Sequence, residues 1–271
     1  MEKESLSNQH GAQGNAETPG MSSFSALLNQ QLYMQSNTQP FTHEDYSDMS
    51  MLLGCTGTLN QPVTQPSSIG AFGPTSPKDM TPQDTVMRPT TIYGVCKVTG
   101  ELLGDYYHLK YGLDTRSIRF PGIISSVTLP GGGTTDYAVE IYYEAIKNGK
   151  FTCPVPSDVY MDMIYMPDAL KACVELMEAD PAKLVHRNSF NIASMSFTPE
   201  IIFDAVKRRL PDFTMDYNVD PVKEQIARSW PNQLDDSCAR NEWGWKPEWD
   251  LERMTDDMLE HIREKVAQGL Y

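Results

Sequence analysis

From residue 61 onward, short apolar runs alternate with longer stretches whose apolar residues recur every three or four positions, and this alternation most constrains the fold. Thr90 to Tyr111 has apolar or methyl-bearing residues at 92, 95, 99, 102, 103, 106 and 109, a helical stripe. Pro89 precedes it and Gly112 is placed to cap its C-terminus. The patterns predict strands at Thr115–Phe120, Phe190–Ala193 and Thr214–Val219. They predict further helices at 137–148, Pro167–Ala179, Pro199–Leu210 and about Leu251–Val266. Strands alternating with helices of these lengths argue for an α/β fold with a mainly parallel sheet.

Composition changes near residue 60. Of residues 1–60, 24 are Ser, Thr, Asn or Gln, and six acids face one base, Lys3. Such a segment buries too little apolar area to offset the entropy of ordering it, so it reads as a disordered tail, with residues 61–271 globular. It lacks the arginines of a mitochondrial transit peptide and the basic start of a secretory signal. The whole chain of 271 residues carries a formal charge of −14, which repels phosphate backbones and argues against nucleic-acid binding. No apolar run is long enough to span a membrane. Five dispersed cysteines without a C-x-x-C read as reduced thiols of an intracellular protein, with neither a disulfide frame nor a metal site expected.

Tyr93 and Lys97 stand at i and i+4, so both side chains share one helix face. A nearby ammonium favours the phenolate and makes tyrosine a usable general base near neutral pH. The spacing alone is weak, because Tyr106/Lys110 and Tyr143/Lys147 repeat it. Context separates them. Ser68 lies 25 residues before Tyr93, in Pro66-Ser-Ser-Ile-Gly-Ala-Phe-Gly73, a strand end running into a glycine turn. That position presents a hydroxyl at the carboxyl edge of a parallel sheet, where ligands bind in α/β folds. After the helix, a further strand closes in Phe120-Pro-Gly-Ile-Ile124.

Ser68, Tyr93 and Lys97 in this setting resemble the catalytic set of extended short-chain dehydrogenases/reductases. The run from Arg88 to Ser125 (RPTTIYGVCKVTGELLGDYYHLKYGLDTRSIRFPGIIS) is similar to the short-chain type of L-threonine 3-dehydrogenase. So are Pro130-Gly-Gly-Gly-Thr-Thr-Asp-Tyr137, Met163-Ile-Tyr-Met-Pro-Asp-Ala169, and Ser229-Trp-Pro with Leu234-Asp-Asp-Ser237 and Trp243-Gly-Trp-Lys-Pro247. The resemblance covers about residues 63–266. It implies a Rossmann-like parallel sheet, with the catalytic helix at 90–111 and a small substrate part over about 125–271.

The implied reaction is NAD-dependent oxidation of L-threonine to 2-amino-3-oxobutanoate. Tyr93 takes the C3 hydroxyl proton, Lys97 supports Tyr93 and the nicotinamide ribose, and Ser68 holds the substrate oxygen. Ile123 matches a position lining the nicotinamide pocket. Thr134 and Thr135 are candidates for anchoring the zwitterionic substrate, or else belong to a loop that caps the next helix, with Thr135 or Asp136 as N-cap. The resemblance also implies a homodimer through the Tyr93/Lys97 helix, where Gly100 and Gly104 would allow close approach, although glycines inside a single-domain core would look the same, and a mitochondrial matrix location in a eukaryote. A nucleotide-sugar epimerase or dehydratase is the competing member of the superfamily. Neutral Met161 and Met163, where such enzymes carry an arginine, favour a small amino-acid substrate.

A dinucleotide fingerprint is the piece the sequence does not provide. Met51-Leu-Leu-Gly54-Cys-Thr-Gly57-Thr-Leu-Asn60 resembles its start, yet only seven residues separate Asn60 from Ser68. The intervening strands and helices of a whole dinucleotide domain need on the order of a hundred, at ~30 per βαβ unit. The expectation is an incomplete sheet in an N-terminally truncated dehydrogenase that binds NAD weakly, or a non-catalytic remnant serving as a dimerisation partner.

Overall fold

A computed structural model of the protein describes residues 62–270. The segment read as a tail, with the Gly54/Gly57 run, lies outside the described residues. The first sheet has the order β1-β2-β6, with both pairs parallel: β1 is Val63–Ser68, β2 is Thr115–Phe120 and β6 is Asn188–Asn191. Helix α1, Ile92–Tyr111, connects β1 to β2. Thr91 caps its N-terminus by accepting from the Gly94 N–H. Gly112, the C-cap the sequence predicts, ends it in the left-handed region at φ 66°. Proline is tolerated inside β1 because, among the described strands, β1 lies at the edge of its sheet.

A second sheet, order β3-β5-β7, comprises Gly122–Ile124, Met161–Tyr165 and Met195–Phe197, with β5 and β7 antiparallel. Strands β4 (Lys150–Cys153) and β8 (Thr214–Tyr217) form a parallel pair. The helices between and after these strands are α2 (Tyr137–Lys147), α3 (Met166–Glu178), α4 (Pro199–Arg209), α5 (Pro221–Ser229), α6 (Ser237–Trp243) and α7 (Leu251–Ala267). The α/β class with parallel sheets stands. Strand β6, which falls in the stretch read as the substrate part, returns to pair with β2.

Two cores result. One joins α2, α4 and α7 to the second sheet through Ile141, Tyr142, Phe197, Ile202, Met258 and Ile262. The other sets α3 and Trp245 against Ile118 and Phe190 of the first sheet. Charge is built into the first sheet as well: Arg116 of β2 donates to the carbonyls of Leu176, Met177 and Ala179, satisfying groups that the end of α3 would leave open. The elements not anticipated are short. Strands β3 and β7 have three residues each, too few to show a period. Helix α5 does carry a start signal, Asp220 followed by a proline, with the carboxylate accepting from the N–H groups of Val222 and Lys223. Among the described residues no helix is long and apolar enough to cross a membrane.

Candidate active site

Strand β1 ends at Ser68, which starts a 3-10 turn over Ile69–Ala71, its Oγ accepting from the Gly70 N–H at 3.1 Å. That bond uses one lone pair and leaves the hydroxyl proton for another acceptor. Helix α1 then presses onto the turn. A Cβ built on Gly94 would lie 2.1 Å from the Gly70 carbonyl oxygen, and one on Gly70 would lie 2.9 Å from Tyr93 Cε1 and 3.5 Å from Ser68 Oγ. Two glycines therefore bring the phenol ring beside the serine. Tyr93 sits in the first turn of α1, where unpaired N–H groups favour a negative charge.

Lys97, one turn on, is buried. Its Nζ donates to the Pro66 carbonyl at 2.8 Å and lies 5.4 Å from the centre of the Tyr93 ring. Burial lowers its pKa from 10.5 to about 8, against the opposing pull of Cys96 and Glu101. Ser68, Tyr93 and Lys97 are thus brought together. The other two Tyr/Lys pairs have different surroundings: Lys110 donates to the Tyr106 hydroxyl on an exposed surface, and Tyr143 is fully buried in the core.

Ser68 pairs with Phe120, so Ile123 follows at the same carboxyl edge, 39 % exposed. Thr135 leans on β3: its Cγ2 is 2.8 Å from where a Gly122 Cβ would be. Thr134 is half-buried beside it. Asp136 occupies the cap position of α2 but makes no forward bond. Its carboxylate instead accepts from the Gly131 and Gly133 N–H groups at 2.7 and 2.9 Å, closing the triple-glycine loop.

Two expectations need correction. Gly100 and Gly104 face their own chain: Cβ atoms there would meet Gln65 Nε2 at 1.6 Å and Asn188 Oδ1 at 3.1 Å. They serve close packing of α1 on the sheet, not contact with a second helix. Met161 and Met163 are fully buried core side chains, so their neutrality does not discriminate between substrates.

Sequence reasoning missed the polar network beneath this corner. Glu101 is buried on α1 and accepts two bonds from Arg119 of β2, at 3.0 and 2.9 Å, and one from the Ser67 hydroxyl. Arg119 also donates to the Gln83 carbonyl and to Asn191 Oδ1. The network ties the residue before Ser68 to the turn after Lys97. Tyr93, Lys97 and Glu101 recur every four residues, a signal that could have placed Glu101 on the inward face. A cavity of about 310 Å³ lies near Glu101 and Arg119, lined also by Gln83, His186 and Asn188, and includes none of Ser68, Tyr93 or Lys97.

A family model described as the NAD dependent epimerase/dehydratase family matches residues 32–193, starting inside the segment read as a tail. An uncharacterized epimerase/dehydratase of Staphylococcus aureus is 54% identical over 213 residues, which are 79% of this chain and 66% of that relative. The structure of an L-threonine dehydrogenase from Clostridium difficile is similar with a TM-score of 0.75 and 56% identity, over 82% of this chain and 68% of the other. A GalE-like L-threonine dehydrogenase from Cupriavidus necator, in its apo form, gives 0.74 and 47% identity over 80% and 79%. The chain thus spans just under two thirds of the length of the curated relative. The serine–tyrosine–lysine corner at a parallel sheet edge and these likenesses agree, and the chain belongs to the NAD dependent epimerase/dehydratase family.

Proposed function

We propose that this corner, in the whole protein, carries out the NAD-dependent oxidation of L-threonine at C3 to 2-amino-3-oxobutanoate. The observation that carries the reading is the buried Lys97 held one turn from Tyr93, whose ring packs on Gly70 beside Ser68. The structural neighbours described as L-threonine dehydrogenases support the choice of substrate.

The residues present fit one end of the cofactor. Lys97 and Tyr93 offer polar groups suited to a ribose, and exposed Ile123 offers an apolar surface for a flat ring. Among the described residues no strand runs through a three-glycine turn straight into a helix, so the fit covers the nicotinamide and its ribose. Bound NAD would supply the hydride acceptor. Tyr93 Oη takes the proton from the C3 hydroxyl, while Ser68 Oγ donates to the same substrate oxygen and opposes its developing charge. Lys97 keeps a positive charge behind the phenol. Thr134 and Thr135 hold the amino-acid end of the substrate, above β3.

Threonine-dependent NADH formation tests the reading. Tyr93→Phe should lower it by roughly 10²–10⁴-fold, the range of a lost general base. The Lys97 ammonium is present below its pKa of about 8 and lost above it, so activity should fall as pH rises through that value. Turnover of a nucleotide sugar without turnover of threonine would instead establish the epimerase reading.

The outer face of α1 favours a second element of function, a homodimer. Ile92, Val95, Leu102, Tyr106 and Leu109 are all exposed there, with Leu109 at 84 %. A dimer without turnover, or co-purification with a full-length homologue, would support a non-catalytic partner role.

A further inference from the structure

We propose that His186, Cys238 and Glu242 form a binding site for one divalent cation of the zinc class. Cys238 and Glu242 are one turn apart on α6, and His186 comes from the loop entering β6. One donor atom from each lies within 4.8 Å of the other two, and all three residues are half-buried. A tetrahedral ion with bonds of ~2.0–2.3 Å needs its ligands roughly 3.3–3.8 Å apart, so His186 Nδ1 and Glu242 Oε1, which share a short hydrogen bond, would separate to admit it.

The surroundings orient these donors. Glu242 Oε2 accepts from the backbone N–H groups of Val185 and His186, which fixes the carboxylate and turns Oε1 towards His186 Nδ1. On the opposite edge of the ring, His186 Nε2 lies 3.5 Å from Asp84 Oδ2. Nδ1 donates its proton to Glu242 Oε1, and a bound ion would take the place of that proton, with the Asp84 carboxylate standing behind Nε2. The nearby charge is negative. The carboxylates of Glu242, Asp235 and Asp84 set this negative charge around Cys238, which favours a cation there.

Donor chemistry selects the ion. One sulfur, one imidazole nitrogen and one carboxylate oxygen suit zinc or cobalt, whereas calcium and magnesium take oxygen ligands. Three protein ligands leave a fourth position for water or a small anion. Asp84 and His186 also line the cavity of about 310 Å³. Bound there, the ion would pin α6 to the start of β6.

The test titrates the full chain with Co²⁺, reading the thiolate-to-cobalt absorption band, and then displaces the cobalt with Zn²⁺. One equivalent should saturate the band. Cys238→Ser should abolish it, and His186→Gln should weaken Zn²⁺ binding at least about 10–100-fold while keeping the thiolate signal. No saturable band in the wild-type chain, or a band that survives Cys238→Ser, would overturn the site. The wild-type titration decides even if the serine variant does not fold.

Discussion

Helices α1 and α7 carry similar stripes of apolar residues and use them in opposite ways. In α7 the stripe faces inward: Met254, Met258, Leu259 and Ile262 are buried, and the acids Glu252 and Asp256 on the outer side pair with Arg208 and Arg209 of α4. In α1 the buried residues are Gly94, Lys97, Gly100 and Glu101, while Ile92, Val95, Leu102, Tyr106 and Leu109 are exposed. A helix that must lay its backbone against the face of a sheet, and hold a charged group there, needs glycines and polar side chains inward. Its apolar side is then left for something else. Hydrophobic burial holds α7, whereas α1 is held by close backbone approach and a paired charge.

Breaking the paired charge should have the largest effect of three substitutions. Glu101→Ala leaves Arg119 buried without its carboxylate and should cost about 3–5 kcal/mol in denaturant unfolding. A loss below about 1 kcal/mol would mean that α1 is held by packing alone. On α7, Met258→Ala opens a cavity in the first core and should cost about 2–5 kcal/mol, with no change in any pH dependence tied to Lys97. The smallest effect belongs to the outer face of α1. Leu109→Ser should change the stability of the monomer by no more than about 0.5 kcal/mol. The same variant should shift a dimer towards monomer in light scattering. Strong destabilisation of the monomer would show that the stripe packs against this chain after all.

Local chemistry made much of the site legible. Thr91 and Gly112 bound α1 through capping bonds that depend only on near neighbours. Tyr93 and Lys97 share a face because of helix geometry, and Ser68 stands at a strand end because a glycine turn follows it. By contrast, Gly100 was read as a possible contact with another helix, since nothing nearby in sequence names Gln65 as its neighbour. The Glu101–Arg119 pair was invisible for the same reason: it joins residues 18 apart that meet because α1 crosses β2.

The sequence by itself determined the alternation of strands and helices, the limits of the long helices and the order Ser68, Tyr93, Lys97. Those features follow from periodicity, capping and turn chemistry within a few residues. Only the tertiary structure decided which side of α1 is inside, and that Met161 and Met163 belong to a core. It also brought His186 to Cys238 and Glu242, across 52 and 56 positions of the chain. Burial and long-range contact depend on which strand lies beside which, and parallel pairing of β2 with β6 sets that over a separation no local pattern encodes.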